Sequence, residues 1–152
     1  DMAAGTVNRT GQPLDVALQG KALLALQAAD GTEVYSRRGD LSVSAAGVLQ
    51  NGDGLPVMGE GGPLTVPAGA ELSIGEDGTL LARDPAAPDL PAQAVGRIKL
   101  VDPQGSAVIK DVEGFLRVPD GGVLPPDRTA RLTTGALEGS NVNTATTLVQ
   151  MI

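Results

Sequence analysis

Residues 70–82 read AELSIGEDGTLLA. Ala70, Leu72 and Ile74 alternate with Glu71 and Ser73, and a second short run at 79–82 follows the Asp77-Gly78 pair. A period of two sends successive side chains to opposite faces of a pleated strand, and an Asp-Gly pair suits a tight turn between two such strands. The stretch therefore predicts an antiparallel hairpin. The same pattern spreads outward along the chain. Leu41 and Val43 alternate with Ser42 and Ser44, and Ile98 and Leu100 alternate with Arg97 and Lys99. Asp30-Gly31, Asn51-Gly52, Gly61-Gly62 and the single Gly20, Gly39, Gly47 and Gly69 mark turns at hairpin spacing. Strands are expected at 15–19, 23–27, 33–38, 41–44, 47–50, 64–66, 71–74, 79–82, 94–101, 107–110, 115–118 and 130–136. No window before residue 138 carries a long 3.6-residue stripe. The fold class read from these runs is all-β, antiparallel and irregular.

Composition narrows the chemistry. The 152 residues suit one domain or two small ones, and 41% hydrophobic content argues against general disorder. With one Tyr, one Phe and no Trp, the core must be built from Val, Leu, Ile and Ala. There is no Cys and no His. Disulfides, thiol nucleophiles, imidazole bases and Cys- or His-ligated metals are excluded together. A net charge of −7 would repel a phosphate backbone, so nucleic acid is a poor partner. No apolar run approaches the roughly 20 residues of a membrane span. The first residues, DMAAGTVNRTGQPLD, lack the regions of a secretory signal, and a start on Asp suggests an excised fragment. Residues 83–93 (RDPAAPDLPAQ) and 119–127 (PDGGVLPPD) read as proline-rich surface loops or linkers.

Oxygen-based chemistry survives the exclusions. Asn51, Asp53 and Glu60 in NGDGLPVMGEGG hold only fragments of a calcium-loop pattern, and tight turns explain them better. A glycosidase needs opposed carboxylates and usually an aromatic platform, which this composition does not supply. A carboxylate-only hydrolase is disfavoured because most acids sit in turns. Arg37-Arg38 beside Gly39 would ordinarily be solvated, although on an acidic protein they could also meet a neighbour's carboxylates. The RGD triplet at 38–40 is too short to carry weight.

The tail behaves differently. Gly139, Ser140 and Asn141 supply helix-start chemistry, and Val142, Ala145, Val149 and Ile152 follow at steps of three, four and three. Such a seam would either dock on the protein's own β-domain or begin a longer helix that packs on a partner.

Several ordered stretches together resemble the flagellar axial proteins of the rod and hook. They are GTVNRTGQPLDVALQG, DGTEVYSRRGDLSVSAAGVLQNGDGLPVMGEGGPLTVP, SIGEDGTLLA, VGRIKLVDP and GALEGSNVN, spread over nearly the whole chain. Two departures concern packing: KALLALQ stands where an aromatic-containing strand is usual, and GFLR places Phe115 one position early. The resemblance implies a β-rich middle domain of the rod/hook type over 1–138, followed by a truncated assembly helix over 139–152. Ser140, Asn141, Val142, Ala145, Val149 and Ile152 would be its first assembly positions. It implies no enzyme activity and no cofactor. The role would be a structural subunit of the proximal rod of the flagellar basal body. Such a subunit polymerises with its own copies and other rod proteins to pass torque from motor to hook. It would lie in the periplasmic space after export without a cleaved signal, and the fragment alone would be monomeric or weakly associating. The reading from another class is an extracellular β-module that binds carbohydrate or calcium.

Overall fold

A computed structural model of the chain describes residues 8–9, 14–104, 108–110, 114–119 and 122–134. The chain runs through β1 (Asn8–Arg9), β2 (Val16–Leu18), β3 (Leu23–Gln27), β4 (Glu33–Ser36) and β5 (Leu41–Val43). It continues through β6 (Leu49–Asn51), β7 (Met58–Gly59), β8 (Gly62–Pro63), β9 (Glu71–Ile74) and β10 (Thr79–Arg83). Then follow β11 (Gln93–Arg97), β12 (Leu100–Val101), β13 (Ile109–Lys110), β14 (Leu116–Arg117) and β15 (Leu132–Thr134). The described residues contain no α-helix, and every strand pair is antiparallel. The helix expected over Ser140, Asn141, Val142, Ala145, Val149 and Ile152 lies outside the described residues.

The hairpin of residues 70–82 forms as the alternation requires. β9 pairs with β10 with Leu80 opposite Ile74 and Ala82 opposite Leu72, and all four side chains are buried. Between them the backbone closes through Gly75 N to Thr79 O (2.8 Å) and Gly78 N to Gly75 O (2.9 Å). Gly78 sits at φ 93°, with Ile98 O only 3.1 Å from where a Cβ would stand, so both conformation and space ask for glycine. This hairpin is the centre of a four-stranded sheet in the order β1-β9-β10-β11. The proline-rich segment 83–93 is the loop of the next hairpin, with Ala82 opposite Gln93.

The second large sheet runs β12-β3-β4-β14-β13. The place of β3 inside this sheet explains why KALLALQ does not alternate between polar and apolar. Leu24 and Leu26 enter the main core, which also holds Val34, Leu49, Val57, Leu72, Leu80 and Leu132. Leu23 and Ala25 enter a smaller core on the other face with Tyr35, Val101 and Leu124. A strand covered on both sides reads as a continuous apolar run. Phe115 packs into the main core while Leu116 lies opposite Tyr35. The shifted aromatic of GFLR thus fills one core and leaves its neighbour to the other.

Three expectations are corrected. The strand read over 94–101 is two strands, because the chain leaves the four-stranded sheet after Arg97 and joins the five-stranded sheet at Leu100. Ile98 N bonds Gly78 O (2.8 Å) and Lys99 N bonds Met58 O (2.9 Å), so the crossing is tethered to the β9–β10 turn and to β7. Leu64 and Val66 are buried but form no strand. They hydrogen-bond across to Leu49, Val57 and Gly47, and the short β7–β8 pair precedes them. Within 119–127, Leu124 is buried rather than part of a surface linker.

Candidate functional site

The acidic side chains are bound up in local structure. Asp30, Asp77, Asp84, Asp102 and Asp127 each accept the backbone N–H two residues on, at 2.8–3.0 Å. These are turns in which a carboxylate mimics a backbone carbonyl. At Asp30, Asp77 and Asp127 such bonds hold the carboxyl below the ordinary 3.8, through Thr79 N–H first at Asp77 and the Thr129 hydroxyl first at Asp127. Asp15 goes the other way, raised first by burial and then by the charge of Asp40. The stabilisation from Asp77 and Asp127 is complete above their unfolded value and disappears as pH falls through their folded values. The Asp15 effect has the opposite sign and fades as pH rises through its raised value. The share due to the lowered groups is expected to make the urea midpoint drop as pH falls from about 5 to about 2. Asp77→Asn should flatten that drop, and an unchanged midpoint across this range would refute the assignment.

The calcium-like stretch resolves into a turn and an ion pair. Asn51 is buried, and its Oδ1 accepts from Asp53 N (3.0 Å) and Leu55 N (2.9 Å). Glu60 faces Arg128 (2.8 Å) and Arg97 (4.0 Å) instead of Asn51. Among the described residues no group of three or more metal-capable side chains comes together. Tyr35 and Phe115, the whole aromatic complement, are both buried, which leaves no ring on which a sugar could stack. The RGD triplet closes on itself: Arg38 pairs with Asp40 at 3.0 Å, while Gly39 is buried under β2. No observation favours the carbohydrate or calcium module.

One polar cluster escaped sequence reading. Lys99 Nζ lies 2.7 Å from Glu33 Oε2, with both side chains under a tenth exposed. The Tyr35 hydroxyl donates to the same carboxylate oxygen at 2.8 Å and accepts Leu124 N–H at 2.7 Å. Burial, reinforced by Glu33, pushes the phenol well above its ordinary value, with the Leu124 N–H pulling the other way. Tyr35 therefore stays neutral and donating. Lys99, Glu33 and Tyr35 thus fasten the 122–127 segment to the five-stranded sheet. The alternation at 97–100 placed Lys99 opposite Ile98 and Leu100, but only the tertiary fold shows that this second face is covered as well. The arrangement is a structural brace.

Two shallow hollows of about 350 and 410 Å³ flank the 83–93 loop and share Arg83, Leu90 and Pro91. Among the described residues Leu90, Ile109 and Val123 are the large apolar side chains that stand exposed. The acid-rich chain thus combines braced turns, a buried ion pair and a few exposed apolar side chains.

A family model described as the flagellar hook protein FlgE/F/G D1 domain matches residues 17–82, from β2 to the end of the opening hairpin. The whole chain aligns at 44% identity with the flagellar basal-body rod protein FlgF of Escherichia coli (strain K12). It aligns at 43% with FlgF of Salmonella typhimurium (strain LT2).

The chain is similar to flagellar rod and hook proteins.

It spans 62% of the length of each of these relatives. The family-matched region contributes both strands of the opening hairpin and the central strands β3 and β4 of the second sheet. It also contains Glu33 and Tyr35, two members of the buried brace, whereas Lys99 and Leu124 come from beyond it.

Proposed function

We propose that this chain is the β-rich part of a structural subunit of the bacterial flagellar rod, in its proximal portion. There it packs with copies of itself and other axial proteins and carries torque from motor to hook. The observation that supports this most is identity of 43–44% along the entire chain with rod proteins of two bacteria. The buried aromatics and the acids tied into turns are in keeping with a role that is structural rather than enzymatic. The subunit reaches the periplasmic space by export without a cleaved signal. Residues 1–138 form the outer β-domain in this reading, and 139–152 begin the assembly helix. Ser140 and Asn141 start that helix, and Val142, Ala145, Val149 and Ile152 form the first positions of its seam. Successive subunits meet through different surfaces, and a heterologous contact whose rotation does not close grows a helical filament.

Deletion of the gene in the source bacterium should abolish swimming in soft agar and leave basal bodies without a complete rod. The wild-type gene supplied in trans should restore both. Normal swimming and intact rods in the deletion strain would overturn the reading.

A further inference from the structure

Arg37-Arg38 was the one cationic pair in the sequence whose purpose stayed open, and the fold gives it neighbours. β2 pairs with β15 through Leu18 and Leu132, and Gln19 N then bonds Arg131 O at 3.0 Å. The turn after β2 closes through Ala22 N to Gln19 O at 3.1 Å, and Arg37 Nη1 donates to Ala22 O at 2.8 Å. Lys21, Arg37 and Arg131 thus meet at one corner, and all three are exposed. The hydrogen bonds of both arginines go to carbonyls, since Arg131 Nη1 donates to Arg128 O (2.9 Å) and Ala130 O (2.8 Å), while the charge of Arg131 also reaches Asp127.

Among the described residues none of the three makes a carboxylate salt bridge. Arg38, Arg83, Arg97, Lys99 and Arg128 each do. That is unexpected in a chain with 18 acids against 11 bases. Each guanidinium has five donors in a planar fork suited to carboxylates, and carbonyl bonds that fix its position leave others available. A net charge of −7 with three cations at this corner leaves −10 on the rest of the chain. The complementary surface is therefore abundant on the protein itself. A nucleic-acid contact uses a broader basic footprint, in the range of about 6–10 phosphate contacts.

We propose that the corner formed by Lys21, Arg37 and Arg131 docks on a carboxylate-bearing surface of a second copy of this chain. The choice of a second copy rests on the rod reading as well as on charge. The contact is heterologous, basic corner to acidic surface, so it extends a row of subunits instead of closing a pair. It is weak and salt-sensitive, because exposed ion pairs are screened beyond about 8–10 Å at physiological ionic strength.

Sedimentation velocity on the 152-residue chain over a concentration series tests this. The weight-average sedimentation coefficient should rise with concentration at low salt, and the rise should vanish by about 0.3 M salt. Lys21→Glu, at an exposed turn position, should at least halve the rise. Lys21→Glu with Arg131→Glu should remove it, with far-UV circular dichroism checking that each variant is folded. In an equal mixture of isotope-labelled and unlabelled chains, a carbodiimide should join Lys21 to a carboxylate of the other copy. Equal concentration dependence in wild type and variants, or Lys21 cross-links only within one copy, would overturn the proposal. So would binding to vesicles containing an anionic lipid without self-association. A deletion strain that is non-motile yet fully rescued by the double variant would sink this surface and leave the rod reading standing.

Discussion

Gly39→Ala is expected to destabilise the domain by about 3–5 kcal/mol, at the severe end for a single substitution. Gly39 is buried at the join between β4 and β5, and Val16 N donates to its carbonyl at 2.9 Å. A Cβ built there would lie 2.0 Å from Val16 O and 2.6 Å from Val16 Cγ2. The nearest atom is backbone, so no side-chain rotation relieves the clash. β2 must move away, and with it the bonds from Leu14 N to Leu41 O and from Val16 N to Gly39 O. The expected fall in Tm is about 10 °C or more for a domain of this size. Gly61→Ala is the control, because nothing lies within 4 Å of its added carbon. It should change stability by about 0.5 kcal/mol or less. Thermal unfolding followed by circular dichroism separates the two. A Gly39→Ala protein as stable as Gly61→Ala would show that β2 does not bear on the 36–41 turn as described.

Lys99→Met is expected to be nearly as damaging, for an electrostatic reason. Glu33 would keep its buried position and lose its cation, with only the Tyr35 hydroxyl left on the same oxygen. Removing one partner of a buried pair costs about 3–5 kcal/mol, because an uncompensated charge stays behind. The double variant Glu33→Gln, Lys99→Met should recover most of that loss. It removes the second charge, and a glutamine carbonyl can still accept the Tyr35 proton. Urea unfolding of wild type, both single variants and the double variant measures the coupling. Additive losses would mean that the two charges do not depend on each other, which the 2.7 Å separation rules against. The same series tests the 122–127 segment. When the pair is broken, protection of the Leu124 amide from hydrogen exchange should fall together with global stability.

How legible the fold was in the sequence depended on how local its causes are. The 71–74 strand and the turn at Asp77-Gly78 follow from alternation and glycine chemistry over a dozen residues, and β9 occupies Glu71–Ile74. β3 was equally readable as Leu23–Gln27, since an apolar run bounded by turns has few other fates. β7 and β8 were not anticipated. Two-residue pairings around Gly59 and Gly62 have no periodicity to detect. The break after Arg97 was invisible as well, because the alternation from Arg97 to Leu100 continues unbroken while the chain changes sheets. The candidate site divided along the same line. Arg37-Arg38 was conspicuous as a cationic pair, but its company of Lys21 and Arg131 depends on the β2–β15 pairing across more than a hundred residues. The tail positions from Ser140 to Ile152 are a sequence reading alone.

The sequence by itself determined an antiparallel all-β chain with an aliphatic core and no thiol or imidazole chemistry. Those properties depend on residue type and on spacings of a few residues, so they survive without knowledge of the fold. Its ordered motifs also carried the kinship with rod and hook proteins. The tertiary structure alone decided that the second sheet is covered on both faces, that Lys99 is buried against Glu33, and that three cations share a corner. Each of these is set by contacts between distant segments, where the pairing of strands and not the local pattern determines which side chains meet.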